Sequence, residues 1–335
     1  MLRLPPPRGP HSELLLTEVS RPPHPFAAPP PAGGVEVLDD EDFQLSLYLC
    51  YELHYRGLPG VDERWEWDPG LLAWRAGIEA AFEGALEAAV PHRADAVAAS
   101  DLDLALRAIS EDDGPSLSSY IRGQATLEQV REFLIHRSAY QLKEADPHSW
   151  AVPRLTGAPK AALIEIQADE YGRGRVDWMH AELFARAMRA LGLDPTYGAY
   201  LDQIPGVTLA TVNLMSLFGL HRRWRGAIVG HLALFEMTSS IPNRRYAEGL
   251  RRLGFDGEAT LFFDEHVTAD AVHENIAAVD LAGGLARQEP ELLTDILWGA
   301  RALAHLDARW AGRVLEAWER EEPSLLSQPL VAGAT

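Results

Sequence analysis

A single cysteine, Cys50, leaves no partner for an intramolecular disulfide and too few thiolates for a zinc finger or an iron–sulfur cluster. It points to a reducing compartment, the cytoplasm. No apolar run reaches the roughly 18 residues that a membrane-crossing helix needs. The opening Met1-Leu-Arg-Leu-Pro-Pro-Pro also lacks the continuous hydrophobic stretch of a secretory signal. Basic residues are in deficit. Thirty Lys and Arg against 49 Asp and Glu give a formal net charge of -19. Such a surface repels phosphate backbones and anionic bilayers, so neither nucleic acid nor a membrane is an expected partner. Runs of alternating apolar and polar residues are missing as well, and no internal repeat recurs at a fixed period, which argues against sheets and solenoids.

What is present is enough apolar content, 47% of 335 residues, to fill a large core. Ten of the 23 prolines fall within the first 31 residues, and a disordered or polyproline-II tail is expected over 1–38. Residues 39–122 read as an N-terminal helical region. It opens on the acidic turn Asp40-Glu41-Asp42 and continues through an Ala-rich helix from Leu71 to Val90. The main block, 123–320, is a succession of helices. Thr126 caps the first, expected to reach Ala145 before Asp146-Pro147 stops it. Gly172 and Gly174 interrupt a later pair, and Pro242 is expected to begin a helix of its own. Residues 321–335 form a C-terminal tail. The expected class is an all-α bundle.

The densest chemistry lies in His266-Val-Thr-Ala-Asp270-Ala-Val-His273. Spacings of i, i+4 and i+7 put these three side chains on one helical stripe about two turns long. Imidazoles and a carboxylate converging from one face suit iron, manganese or zinc, and one stripe cannot fill a coordination sphere. Glu144, Glu170, His180 and Glu236 are the upstream candidates. Glu236 sits between Phe235 and Met237, where an unpaired carboxylate is costly to bury. Glu144 sits near a helix C-terminus, where the helix dipole disfavours it. On a continuous helix Glu170 and His180 would stand about 15 Å apart. The glycine break relieves this, but Asp177, three residues before His180, competes with Glu170 as its partner. His136, on roughly the face of Glu144, is a candidate hydrogen-bond donor to that carboxylate. Arg244 and Arg245 are candidates for holding a substrate carboxylate. Oxygen and nitrogen donors without thiolate favour Fe(II), with Mn(II) as the alternative.

This set resembles the haem-oxygenase-like di-iron oxidases and oxygenases, also described as iron-containing redox enzymes, over residues 123–290. Glu144, Glu170, His180 and Glu236 match their successive ligand positions. His266-x3-Asp270-x2-His273 has the form of the family's last ligand motif. The resemblance implies a haem-oxygenase-like helical bundle without haem, here with additional N-terminal helices that support a homodimer in some members. It implies two Fe(II) per chain held by those seven residues, O2 as co-substrate, an external electron donor and a small-molecule substrate carrying an amine or carboxylate. N-oxygenation is the favoured reaction, because Glu170 would supply the extra carboxylate of the N-oxygenating members. Oxidative decarboxylation and C–C cleavage are the alternatives on the same centre. A non-catalytic helical metal- or ligand-binding protein is the alternative of a different class.

Overall fold

The computed structural model describes residues 4–26, 36–93, 97–110 and 116–327, and of 270–272 the backbone alone. The all-α expectation holds: among the described residues there are helices and turns, with one isolated antiparallel bridge, Tyr171 to Met179.

The first departure from expectation is α1, Pro10–Val19, inside the segment expected to be disordered. Pro10 occupies the first helical position, where its missing N–H forms no helix bond anyway. Asp42 takes over the capping from a distance: its carboxylate accepts from the backbone N–H of His11 (2.8 Å) and Ser12 (2.7 Å). Leu15 and Val19 then bury against the N-terminal region. Proline opens the helix, and a partner distant in sequence caps its first turn.

Helices α2 (Glu41–Glu52), α3 (Pro69–Ala89) and α4 (Leu102–Ser110) form the rest of the N-terminal region. Asp40 and Asp68 cap the first two, each accepting a backbone N–H of the first turn. Cys50 is buried within α2, and burial pushes its thiol up to about 12. Glu52, at the end of α2, forms a fully buried ion pair with Lys143 of the main block.

The main block begins with α5 (Leu117–Gly123) and α6 (Leu127–Gln141). Thr126 and Gln129 form the reciprocal cap at the start of α6. This helix ends at Gln141, four residues before the expected Ala145, in a turn whose last residue, Ala145, has φ 73°. Then follow α7 (Asp146–Ser149), α8 (Gly157–Glu170), α9 (His180–Ala190), α10 (Gly206–Leu220) and α11 (Arg225–Arg252). Next come α12 (Leu261–Asn275), a π-helical turn over Ile276–Ala282, α13 (Gly283–Gln288) and α14 (Leu293–Glu319).

α11 is the axis of the bundle, packed against α14, α12, α5 and α10. It runs straight through Pro242, which was expected to start a new helix. Proline removes one ladder bond. Next to it the Asn243 side chain donates to Ser239 O (3.0 Å), and Thr238 bonds back to Leu234 O (2.8 Å). Where α11 crosses α14, backbone touches backbone. A Cβ on Gly299 would lie 2.0 Å from Ala227 O, and one on Gly230 1.8 Å from Ile296 O. Neither carbonyl can move without parting the two longest helices. Gly299→Ala is therefore expected to destabilise the fold by about 3 kcal/mol or more, read as a lowered denaturation midpoint at unchanged slope.

Candidate metal centre

Six side chains converge from five segments in the middle of the main block. Glu144 comes from the turn after α6, Glu170 from the last residue of α8 and His180 from the first of α9. Glu236 comes from α11, and His266 and His273 from α12. All six are buried, with at most 7% of their surface exposed. They form two groups whose ligand atoms lie within 4.8 Å of one another: Glu144, Glu170, His180 and His266 in one, Glu170, Glu236 and His273 in the other. Glu170 belongs to both. Asp270 lies on α12 between the two histidines, and its side chain is outside the described residues.

Local structure explains how residues 170 and 180 meet. The bridge between Tyr171 and Met179 folds the intervening segment back on itself. Gly172 stands at the start of this turn with φ 61°, and a Cβ there would come 2.5 Å from the Trp178 carbonyl carbon. Only glycine fits. Glu170 and His180 therefore face each other, with Oε2 and Nδ1 2.8 Å apart. Asp177 points to solvent from the same turn. The continuous helix α12 supplies its two histidines as periodicity requires.

The orientation of each group is held from behind. His266 Nδ1 donates to Phe262 O (2.8 Å), which leaves Nε2 toward Glu144, 3.6 Å away. His273 Nε2 faces Asp169 (3.1 Å), so Nδ1 points at Glu236, 3.5 Å away. Asp169 is in turn held by Arg173. Gln141 donates to Glu144 Oε1 (3.3 Å). Asp169 is the residue that sequence reasoning missed. An acidic pair, Asp169-Glu170, in the last turn of a helix opposes the dipole, and that was the available signal.

Glu144 Oε2, Glu170 Oε2, His180 Nδ1 and His273 Nδ1 are fully buried without a hydrogen bond in the structure. Glu170 Oε2 and His180 Nδ1 are close enough for one, at 2.8 Å, but are not aligned for it. Buried acceptors without donors are rare, and several converging on one point are what cation ligands look like without the cation. The donor set of neutral nitrogen and carboxylate oxygen fits iron or manganese. Protons compensate in the cation's place. Although burial would raise the Glu170 carboxyl, the facing His180, His266 and His273 hold it down at about 2. Burial likewise opposes charging of His273, but Glu236 and Asp169 raise it to about 9.

The remaining sequence candidates lie elsewhere. His136 is buried against Thr208 Oγ1 (2.8 Å) and Ser324 Oγ (3.0 Å), with its ring pushed down to about 3 by burial. It cannot reach Glu144, because α6 stops at Gln141 and its periodicity does not extend to residue 144. Arg245 contacts Ser116 and Ser118, and Arg244 is exposed. Neither lines the cavity at the centre. They sit deep within α11 because Pro242 does not break it.

That cavity measures about 10 Å³, walled by Tyr140, Leu232, Phe235 and Gln167 along with the carboxylates. It has room for about one water. A further buried histidine, His148, lines it and stands 3.1 Å from the buried His231, and burial drives both well below the usual histidine range.

A model of the family described as "Iron-containing redox enzyme" matches residues 131–308, more than half of the chain and the whole of the site just described. No curated protein matches. Among solved structures the chain is similar to a CADD-like protein of unknown function from Nostoc punctiforme. Identity is 17% and the TM-score 0.53, over 65% of this chain and 97% of that one. That likeness bears on the helical fold.

Proposed function

The chain belongs to the iron-containing redox enzymes, and we propose that it is an O2-dependent di-iron oxidase or oxygenase acting on a small amine- or carboxylate-containing metabolite. The observation that carries this reading is the sharing of Glu170 by two groups of buried ligands. Glu144, Glu170, His180 and His266 would hold one iron. Glu170, Glu236 and His273 would hold the other, with Asp270 added by the family's motif. Iron held by these residues would supply the electrons that reduction of O2 requires.

The chain's own residues have separate tasks. Phe262 O and Asp169 fix the tautomers of His266 and His273 so that a lone pair faces the centre. Glu144, Glu170 and Glu236, with Asp270, would counter the four positive charges of two Fe(II) ions. Tyr140, Leu232 and Phe235 keep bulk water from the cavity. N-oxygenation is the favoured outcome, supported by the extra carboxylate that Glu170 provides.

Anaerobic titration with Fe(II), followed by mixing with O2, tests the reading. Two irons per chain and rapid O2 consumption are expected. Iron uptake without O2 consumption would leave a metal-binding protein instead. Asp169→Ala is expected to weaken binding of the iron assigned to Glu170, Glu236 and His273 by about 10- to 100-fold, because His273 loses the partner that orients it. A competitive chelator titration measures this, and an unchanged affinity would remove Asp169 from the centre's support.

A further inference from the structure

The space at the centre admits a water and little more, so in this conformation a substrate's carbon skeleton has to lie elsewhere. An open cleft of about 450 Å³, with the exposed Arg56 at its rim, lies beside it. Its lining includes Tyr55 and Arg56 from the turn after α2, Asp146 and Ser149 from α7, then Trp150 and Tyr171. Arg56 and Tyr55 belong to the N-terminal region, outside the segment that matches the family model. The two cavities share one hydrogen-bonded wall. Gln167, which lines the centre, donates to Ser149 Oγ (2.8 Å), and Ser149 Oγ lies 2.9 Å from Tyr171 OH. Tyr171 directly follows Glu170.

The larger cavity presents one charge of each sign, and the two are not spent on each other. No ion pair among the described residues joins Arg56 and Asp146. Tyr171 OH donates to Asp146 Oδ1 (2.8 Å), and no hydrogen bond among the described residues engages Oδ2. Arg56 uses Nη2 on Leu142 O (2.8 Å) and lies over the Tyr197 ring at 4.2 Å, which holds the guanidinium in place. Its Nε and Nη1 have no acceptor among the described residues. Tyr55, Trp150 and Tyr171 supply aromatic walls. A fixed donor fork and a separate acceptor in one aromatic-walled cavity match the two ends of a zwitterion.

We propose that this cavity is the docking site of a small zwitterion carrying both ammonium and carboxylate, its carboxylate on Arg56 and its ammonium on Asp146. It holds the metabolite one wall away from the centre, and in that respect it rests on the function proposed above. The N-terminal region thereby completes a ligand site that the family segment alone lacks.

Calorimetric titration of the metal-free, full-length protein with the twenty common L-amino acids tests this. The corresponding decarboxylated amines and N-acetyl derivatives serve as single-charge probes. At least one zwitterion is expected to bind, its single-charge counterparts at least tenfold more weakly. Arg56→Ala and Asp146→Asn are each expected to weaken binding at least tenfold, with melting temperature and Fe(II) uptake as in the unsubstituted protein. Arg56→Gln, which keeps a donor for Leu142 O, substitutes if Arg56→Ala does not fold. No binding by any amino acid, or binding that survives both substitutions, overturns the proposal. So does loss of Fe(II) uptake in both variants, which would make these residues supports of the centre. The titration needs no iron, so failure of the di-iron reading would leave its result standing.

Discussion

Glu170→Ala is expected to lower Fe(II) uptake from two per chain to one or none and to abolish O2 consumption. The reason is arithmetic on the ligand groups. With Glu170 removed, one group keeps Glu144, His180 and His266, while the other keeps only Glu236 and His273 among the described side chains. Two protein ligands hold iron poorly. Deleting a partner behind a ligand costs about 10- to 100-fold in affinity or activity, and loss of a shared ligand should exceed that range. The metal-free variant should melt lower as well, because His180 loses the carboxylate 2.8 Å from its Nδ1 and remains buried. Asp177→Ala is the matched comparison. Its side chain is exposed on the same turn, so uptake, activity and melting should stay at their original values. Full iron loading and activity in Glu170→Ala would take this carboxylate out of the centre, and the preference for N-oxygenation would go with it.

The contrast between these two residues shows what a reader of the sequence could and could not see. His266 and His273 were legible because α12 runs unbroken beneath both, and a continuous helix turns spacing into direction. Glu170 and His180 meet through a turn set by Gly172, and spacing there has no such meaning. Residue physics left Asp177 as an equal rival, and the resemblance to the di-iron family favoured Glu170. His136 went wrong for the opposite reason: helical periodicity was carried past Gln141, where the helix had already ended. α1 and the unbroken passage of α11 through Pro242 were both hidden by proline. For α1 the Asp42 side chain supplies bonds that no local pattern announces, while α11 carries on past the single ladder bond that Pro242 removes, with its long packed face holding it together. Asp169 and the larger cavity depend on contacts between segments far apart in the chain. The packing of α8 against the π-helical turn that continues α12 brings Asp169 to His273, and the fold places Arg56 near Asp146.

Metal removal should give the protein a pH dependence that the loaded form lacks. In the metal-free centre the imidazoles and carboxylates neutralise one another. His273 is raised to about 9 in the folded state, from an ordinary value near 6.5, because Glu236 and Asp169 outweigh its burial. Its contribution to stability is therefore fully present below about pH 6.5 and is lost as pH rises toward 9, amounting to at most about 3 kcal/mol. His180, raised by Glu170 against its burial, acts in the same direction. Glu170 carries the opposite sign. It is held at about 2 against 4.5, so its contribution is present above about pH 4.5 and fades as the pH falls toward 2. The metal-free protein should be most stable between about pH 4.5 and 6.5 with respect to these groups. Bound metal displaces the histidine protons and replaces their charge, which removes the alkaline limb. Melting temperatures of the metal-free and Fe(II)-loaded forms, taken anaerobically from pH 6 to 9, should diverge steadily, with proton release on Fe(II) addition at pH 7.5. Parallel curves with no proton release would mean that metal does not enter at His273, and the centre would have to be drawn with Glu144, Glu170, His180 and His266 alone.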